Sequence, residues 1–156
     1  MAIRGSEQFG VTLLETTDIG GTSATTSYVS MQNFDRATAY VEIGTWNGSD
    51  DLDSCHFLQA TDSSGTSSKG LTTSASGGDY DTDAPVDADG NYVMLDMRAE
   101  NLDTNNGFTH IALYVAEDGN TGADNVTGFL LRHSPKYAAK ELNGAASTGA
   151  QVYVTA

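Results

Sequence analysis

The chain has 156 residues and a formal net charge of −14, from 7 Lys and Arg residues against 21 Asp and Glu residues. This length suits one domain with a buried core, while the charge disfavours nucleic acid and anionic membranes as partners, because both attract clustered basic residues. A single cysteine excludes an intramolecular disulfide framework. Abundant Gly, Ser, Thr, Asp and Asn, with little Leu, Lys and Glu, favour strands and long turns over helices.

Residues 1–25 are polar apart from a short apolar patch, Phe9 to Leu14. No run in the chain has the length of a secretory signal or a membrane span, which predicts a soluble protein made in the cytoplasm. The composition suits an extended N-terminal arm that becomes ordered only against a partner or a neighbouring subunit. A frayed terminus with one edge strand is an equally weighted alternative. Residues 26–156 are predicted to form a single domain.

Alternation of apolar and polar residues predicts strands through most of that domain. The first three lie at residues 26–32, 37–46 and 55–62, and a short one surrounds Leu71. The strongest alternation covers residues 91–118, where two long strands are joined by a polar turn that contains an Asn-Gly pair. We expect these two strands to pair and to form the centre of a sheet.

Two more strands are predicted at residues 126–133 and 151–154. Between them, Ser134 is a candidate N-cap and Pro135 suits the first helical position, so a helix of one or two turns is expected there. The total is about eight strands and at most one short helix. This number predicts an all-β fold, specifically a two-sheet β-sandwich or jelly roll.

The longest predicted loop, residues 74–90, contains five Asp residues between positions 79 and 89. Carboxylates two residues apart resemble the opening of a calcium-binding loop. The rest of that pattern fails, because Ala84 stands where Gly is needed and Gly90 where the bidentate Glu belongs. A weak calcium site shared with the carboxylates between residues 50 and 53 remains open. A solvated acidic loop is favoured, and no metal ligand is assigned.

No catalytic pattern stands out in the sequence. Cys55 and His56 are neighbours on a predicted strand, so their side chains point to opposite faces and do not form a nucleophile–base pair. The chain has no Gly-x-Ser-x-Gly, no Walker loop and no dinucleotide fingerprint. The sequence therefore predicts a protein that is not an enzyme, with no catalytic residue and no cofactor.

The candidate partner-binding residues form two groups near the ends of the chain. The first group consists of the apolar residues of the predicted arm. The second group consists of basic residues that have only one acidic residue nearby in an otherwise acidic chain. The alternative for the second group is an ordinary balance of charges on the surface. The two groups are Phe9, Val11, Leu13, Leu14 and Ile19, and Arg132, Lys136 and Lys140.

Four sets of short segments are similar to those of the decoration (cement) proteins of tailed bacteriophage heads. They are Tyr28-Val29-Ser30-Met31-Gln32-Asn33-Phe34, residues 58–65 with Lys69-Gly70-Leu71, Asn101-Leu102-Asp103 with Gly107-Phe108, and residues 132–137. The resemblance covers roughly residues 26–140. It implies a β-sandwich that binds the outside of a capsid as a dimer or trimer, holds major capsid protein subunits together, and has no active site. The implied location is the capsid exterior, after assembly in the host cytoplasm.

Two other functions stay open from the sequence. A carbohydrate-binding jelly roll would use exposed aromatic residues such as Trp46, Tyr80 and Tyr92, with loop carboxylates and calcium. A structural protein of the phage tail or of the head–tail junction would share the same resemblance. The sequence determines neither the oligomeric state nor the surface that contacts a partner.

Overall fold

The computed structural model describes residues 9–46, 52–71, 89–117 and 122–136. In this part of the chain, antiparallel strands form two sheets. The strands are β1 (Gly10–Asp18), β2 (Ser23–Thr25), β3 (Val29–Ser30), β4 (Phe34–Ile43), β5 (Ser54–Ala60), β6 (Lys69–Gly70), β7 (Tyr92–Arg98), β8 (His110–Ala116) and β9 (Asn125–Pro135). Two short 3-10 helices, Ala99–Asn101 and Thr104–Asn106, lie between β7 and β8.

The first sheet, sheet A, has the strand order β1-β9-β4-β7. The second, sheet B, has the order β2-β8-β5-β6, and β3 follows β2 along the same side of β8. The pairs are nested in the chain: β5 pairs with β6, β4 with β7, β2 and β3 with β8, and β1 with β9. This nested order is that of a jelly roll, which confirms the predicted all-β sandwich.

The two strands of residues 91–118 do not pair with each other, so the predicted central pair is wrong. β7 is an edge strand of sheet A next to β4, whereas β8 lies inside sheet B next to β5. The segment between them crosses from one sheet to the other through the two 3-10 helices, with Leu102 and Phe108 buried on the way. Each strand alternates strongly because each places one face on the shared core, and alternation does not identify the paired neighbour.

Residues 10–25 belong to the sandwich, so the arm predicted over residues 1–25 is wrong for this part. β1 pairs with β9 from Gly10 to Asp18, with an irregularity between Leu14 and Thr17, and β2 pairs with β8. The side chains of Leu14 and Ile19 are 5% and 0% exposed, which ties this segment to the core. The alternative of a terminal edge strand describes β1 better. Residues 1–8 lie outside the described residues.

The helix predicted at Ser134 and Pro135 does not begin there. Both residues belong to β9, and Pro135 pairs with Phe34 of β4. The strand continues because its partner β4 is long enough to extend the ladder to this point. The remainder of the predicted helix and the strand predicted at residues 151–154 lie outside the described residues.

The core lies between the two sheets and is formed by their inward-facing side chains. Sheet B contributes Phe57, Ile111, Leu113 and Val115, all 0% exposed, and sheet A contributes Val41, Ile43, Met97 and Leu130 at 0–1%. Burial of one such side chain stabilises the fold by roughly 1.5–3 kcal/mol. Cys55 is also buried, and His56 lies on the opposite face of β5, as the sequence predicts.

Gly128 of β9 lies close to the backbone of β4. It pairs with Val41, and a Cβ atom at this position would lie 2.2 Å from the Tyr40 carbonyl oxygen and 3.1 Å from Val41 Cα. Those atoms belong to the backbone of a central strand, so they cannot rotate away as the end of a side chain can. The pairing of β9 with β4 therefore requires a residue without a side chain here.

We expect Gly128→Ala to lower the free energy of unfolding by about 1–3 kcal/mol, because the added methyl group forces two central strands apart. Urea unfolding followed by circular dichroism measures the change. The matched control is Thr127→Ala on the neighbouring outward position of β9, for which we expect a smaller loss. Equal unfolding midpoints for the two variants would contradict this explanation.

Candidate functional site

The outer face of sheet A is apolar where a solvated sheet face is normally polar. Each strand of the sheet turns alternate side chains away from the core. The outward-facing apolar side chains are together called the outer apolar face. They are Phe9, which precedes β1, Val11 and Leu13 from β1, Phe129 and Leu131 from β9, Tyr40 from β4, and Tyr92 and Met94 from β7.

Strand register brings these side chains together across the whole sheet. Leu13 is opposite Phe129, Phe129 is opposite Tyr40, and Tyr40 is opposite Met94, so one apolar row crosses all four strands. The Tyr40 ring stacks on Phe129 at a centroid distance of 5.5 Å and on Tyr92 at 5.6 Å. Such stacked aromatic pairs contribute about 0.5–1.5 kcal/mol beyond their burial, so the centre of the face is held in place.

Exposure identifies this face as unusual. Within the described residues, the exposed large hydrophobic side chains are Phe9 at 58%, Val11 at 51%, Leu13 at 65%, Tyr92 at 62% and Met94 at 63%. All five belong to the outer apolar face, and together they leave on the order of 500 Å² of apolar surface in water. The largest contiguous apolar patch on a domain is often functional, so this face is the candidate binding surface.

Polar groups border the face toward the start of β4. Arg36 forms an ion pair with Asp96, and the Thr38 hydroxyl donates to Asp96 Oδ1 at 2.9 Å. His133 Nε2 lies 3.0 Å from Thr38 Oγ1, and donates to it because the Thr38 proton is already used. These side chains bind one another along the border, although Arg36 Nε is buried without a hydrogen-bond partner among the described residues.

Carboxylates border the opposite end of the face. Glu15 follows the apolar part of β1, and Glu42 lies beside Tyr40 on β4, with both side chains exposed. The Tyr40 hydroxyl donates to Glu42 at 3.4 Å, and burial, followed by the charge of Glu42, raises the pKa of Tyr40. An apolar centre with a charged rim is the usual composition of a protein–protein interface.

The apolar residues predicted for partner binding divide into two groups. Phe9, Val11 and Leu13 lie on the outer apolar face and are accessible. Leu14 and Ile19 are core residues and do not reach a partner in the folded domain, so their assignment was wrong. Leu13 and Leu14 are adjacent on a strand, so only one of them can face outward.

The basic residues predicted for partner binding lie in different environments. Arg132 points inward, where Nη1 donates to the Ser30 carbonyl oxygen at 2.7 Å and the guanidinium lies 4.9 Å from the Phe34 ring centroid. Burial lowers the pKa of Arg132. Lys136 Nζ lies 3.7 Å from Asp35, and Lys140 lies outside the described residues. Arg132 therefore contributes to the fold, whereas Lys136 is exposed with one surface ion pair, and its role in partner binding stays a prediction.

Five members of the outer apolar face are not among the predicted protein-partner contacts: Tyr40, Tyr92, Phe129, Leu131 and Met94. The sequence names Tyr92 only for the carbohydrate alternative. A signal for them exists, because β4 and β9 carry aromatic or aliphatic residues at outward as well as inward positions. The sequence predicts an ordinary half-buried strand for β4 and a core position for Phe129 and Leu131 of β9. The second prediction is wrong, because β9 turns Val126 and Leu130 toward the core instead. Only the register, which aligns the outward residues of four strands, turns them into one surface.

The other candidate chemistry gains no support from the described residues. Within those ranges, no group of three or more His, Cys, Asp or Glu side chains is arranged to hold a metal ion. Residues 79–88 of the acidic loop lie outside them, and Asp89 accepts a hydrogen bond from the Trp46 backbone at 2.8 Å. The His56 ring packs 4.9 Å from the Tyr114 ring. No helix in this part of the chain is long and apolar enough to cross a membrane.

A groove of about 340 Å³ lies beside the 3-10 helices. Its polar groups bind one another: Lys69 Nζ lies 2.7 Å from Asp103 Oδ2, the Asn106 amide donates to the same carboxylate, and the Asp103 backbone donates to Gln59 at 3.0 Å. Lys69 also lies 4.2 Å above the Phe108 ring. These contacts stabilise the segment that connects β7 to β8, so the polar groups of the groove are explained by the fold.

Comparison with known proteins gave no match, either to a protein-family model or to a curated protein. The fold and the site define the protein as a jelly-roll domain with an apolar, aromatic outer face on one of its two sheets. Function has to be inferred from that face.

Two carboxylates of the loops make folding sensitive to acid. Hydrogen bonds from Thr66, and next from the Ser64 backbone, lower the pKa of Asp62. Hydrogen bonds from Lys69 and Asn106 lower the pKa of Asp103. Because both pKa values are lower in the folded than in the unfolded chain, the ionised carboxylates stabilise the fold above pH ~4, and this stabilisation is lost as the pH falls through the folded pKa values.

We therefore expect Asp103→Asn to unfold with a weaker dependence on pH between pH 5 and pH 2 than the parent protein. The parent should lose stability progressively over that range, as its two hydrogen-bonded carboxylates become protonated. Urea unfolding at intervals of half a pH unit measures both slopes, with Glu15→Gln on β1 as the control for removal of an exposed carboxylate. Parallel slopes for the parent and Asp103→Asn would contradict the assignment.

Proposed function

We propose that the protein is a virion structural protein that binds the outer surface of a phage capsid and stabilises contacts between major capsid protein subunits. It attaches through the outer apolar face of sheet A. The observation that carries the proposal is that face, with five side chains more than half exposed around a stacked aromatic centre. The sequence resemblance to decoration proteins supplies the identity of the partner.

The physical character of the face supports a protein partner. Aromatic residues and Met are enriched at the centres of protein interfaces, and charged residues are confined to their rims. Tyr40, Phe129 and Met94 occupy the central row here, while Glu15 and Glu42 lie at the margin. All of these side chains project from paired strands, so little backbone entropy is lost when a partner covers them.

The size of the face suits repeated binding on a lattice. A surface on the order of 500 Å² is smaller than the ≈800 Å² that each partner buries in a standard interface. One copy is therefore expected to bind weakly, and linked copies on a symmetric shell to bind much more strongly. The charge of −14 keeps a protein with such a face soluble before assembly.

A carbohydrate-binding jelly roll is the second candidate, and one observation favours it. Tyr92 is 62% exposed and stacks on Tyr40, which gives a flat aromatic platform like those that bind sugar rings. Glu42 lies opposite Tyr92 at one end of this platform, but the side chains of the face toward β1, Val11, Leu13 and Leu131, offer no hydrogen-bonding groups to the hydroxyls of a sugar. The surroundings of the platform therefore favour a protein partner.

The proposal predicts that Met94→Asp weakens capsid binding by at least about tenfold, because a carboxylate would be buried within the interface. The assay is co-sedimentation of purified protein with capsids, from the phage that encodes it, that lack this protein. Ser63→Asp, at an exposed loop position, introduces the same charge elsewhere and should bind like the parent. Full binding by Met94→Asp would remove the outer apolar face from the interaction.

Two further experiments separate the alternatives. Electron microscopy of the complete particle should show the protein on the shell, and density at the tail or the head–tail junction would assign it there instead. A glycan array, with and without a chelator of calcium, should show no binding. Specific binding to a glycan that Tyr92→Ala abolishes would establish the carbohydrate reading.

A further inference from the structure

β1 is an edge strand with an open side. Sheet A ends at β1, whose backbone pairs with β9 on one side and with no other strand in the described part of the chain. An edge strand presents unpaired N–H and C=O groups, which form a template for pairing with another strand. The residues Val11 and Leu13 on this edge strand are 51% and 65% exposed, so their side chains are accessible to a partner.

The two halves of β1 differ in how the edge is protected. Natural proteins block edge strands with charged residues, Pro, or bulges that twist the edge away. The second half of β1 has such features, because the register shifts between Leu14 and Thr17 and because Glu15 and Asp18 are charged. The first half, residues 10–14, contains no charged residue, no Pro and no shift. Strand addition is therefore open at residues 10–14.

We propose that β1 pairs with β1 of a second copy of this chain, antiparallel and around a twofold axis at Thr12. In this register Val11 of each copy is opposite Leu13 of the other, on the outer face of the sheet. Glu15 is opposite Phe9 of the partner, so no like charges meet. The pairing is self-complementary, as a twofold interface requires.

Neighbouring registers are less favourable. Side chains of the two copies share a face only when the register moves by two residues at a time. A move in one direction places Val11 opposite Glu15 of the second copy. A move in the other direction leaves only residues 10–12 of each strand paired within β1. The axis at Thr12 pairs the whole unprotected half of the strand without a charged neighbour.

Pairing at this edge would join the two outer apolar faces. Sheet A of both copies would form one continuous eight-stranded sheet, since each contributes four strands. Two faces on the order of 500 Å² each would then lie side by side, which reaches the ≈800 Å² per partner of a standard interface. The pairing covers the β1 edge, while the outer apolar face of each copy stays exposed. The pairing is independent of the proposed function, although it would provide the linked copies that lattice binding needs.

Cross-linking at the axis tests the register. Directly opposite residues of antiparallel strands have Cα atoms ≈4.5–5.5 Å apart, within the range of a disulfide. Thr12→Cys should therefore form a disulfide-linked dimer on mild oxidation. The control is Thr17→Cys, beyond the irregularity of β1, which should stay monomeric on a denaturing gel. The parent, whose one cysteine is the buried Cys55, should also stay monomeric.

Sedimentation tests the dimer without a cross-link. The parent should dimerise more strongly as salt is raised, because screening reduces the repulsion between two copies of charge −14. Leu13→Lys should weaken dimerisation at least about tenfold, because Lys on an edge strand blocks pairing. Met94→Lys, on the same face but on the opposite edge, should dimerise like the parent.

The outcomes separate the two proposals. Equal cross-linking of Thr12→Cys and Thr17→Cys, or a parent that stays monomeric at all concentrations and salts, would overturn the β1 pairing. Loss of capsid binding by Met94→Asp would leave that result unchanged. Conversely, a dimer cross-linked at position 12 together with full capsid binding by Met94→Asp would support the pairing and remove the proposed docking face.

Discussion

Two sheets that share one apolar core are the constraint on which the rest of this structure depends. Phe57 and Leu113 from sheet B meet Val41 and Leu130 from sheet A with almost no exposure to water. The chain crosses repeatedly between the sheets, with β5 and β6 paired as neighbours inside sheet B, and these crossings give the nested pairing of a jelly roll. The separation of β7 from β8 is a direct consequence, since each is needed on a different side of the core.

Among the residues that the structure describes, none covers the outer apolar face of sheet A. Stacked Tyr40, Phe129 and Tyr92 side chains, with aliphatic side chains around them, leave apolar surface in water at a cost in free energy. The same sheet ends in a strand whose first half has no protection against pairing. Both features become favourable when another protein covers them, so the surface of sheet A is best understood as part of an assembly.

The candidate site was only partly predictable. The sequence identified Phe9, Val11 and Leu13, because a short apolar patch in a polar terminus stands out. It misassigned Leu14 and Ile19, since an apolar run alone does not tell which residues face inward. Tyr40 and Phe129 were missed for a different reason: each looks like an ordinary strand residue, and they become a site only when register places them next to each other.

What the sequence determined by itself is local: the strand periods, the all-β class, the separation of Cys55 from His56, and a charge that disfavours nucleic acid. These properties depend on residues close in the chain, where a period of two and side-chain chemistry decide the outcome. Only the tertiary structure decided that β7 pairs with β4 rather than β8, that β1 is an edge strand of the sandwich, and that one sheet face is apolar. Those outcomes depend on pairing between distant strands, because the shared core determines which strands become neighbours.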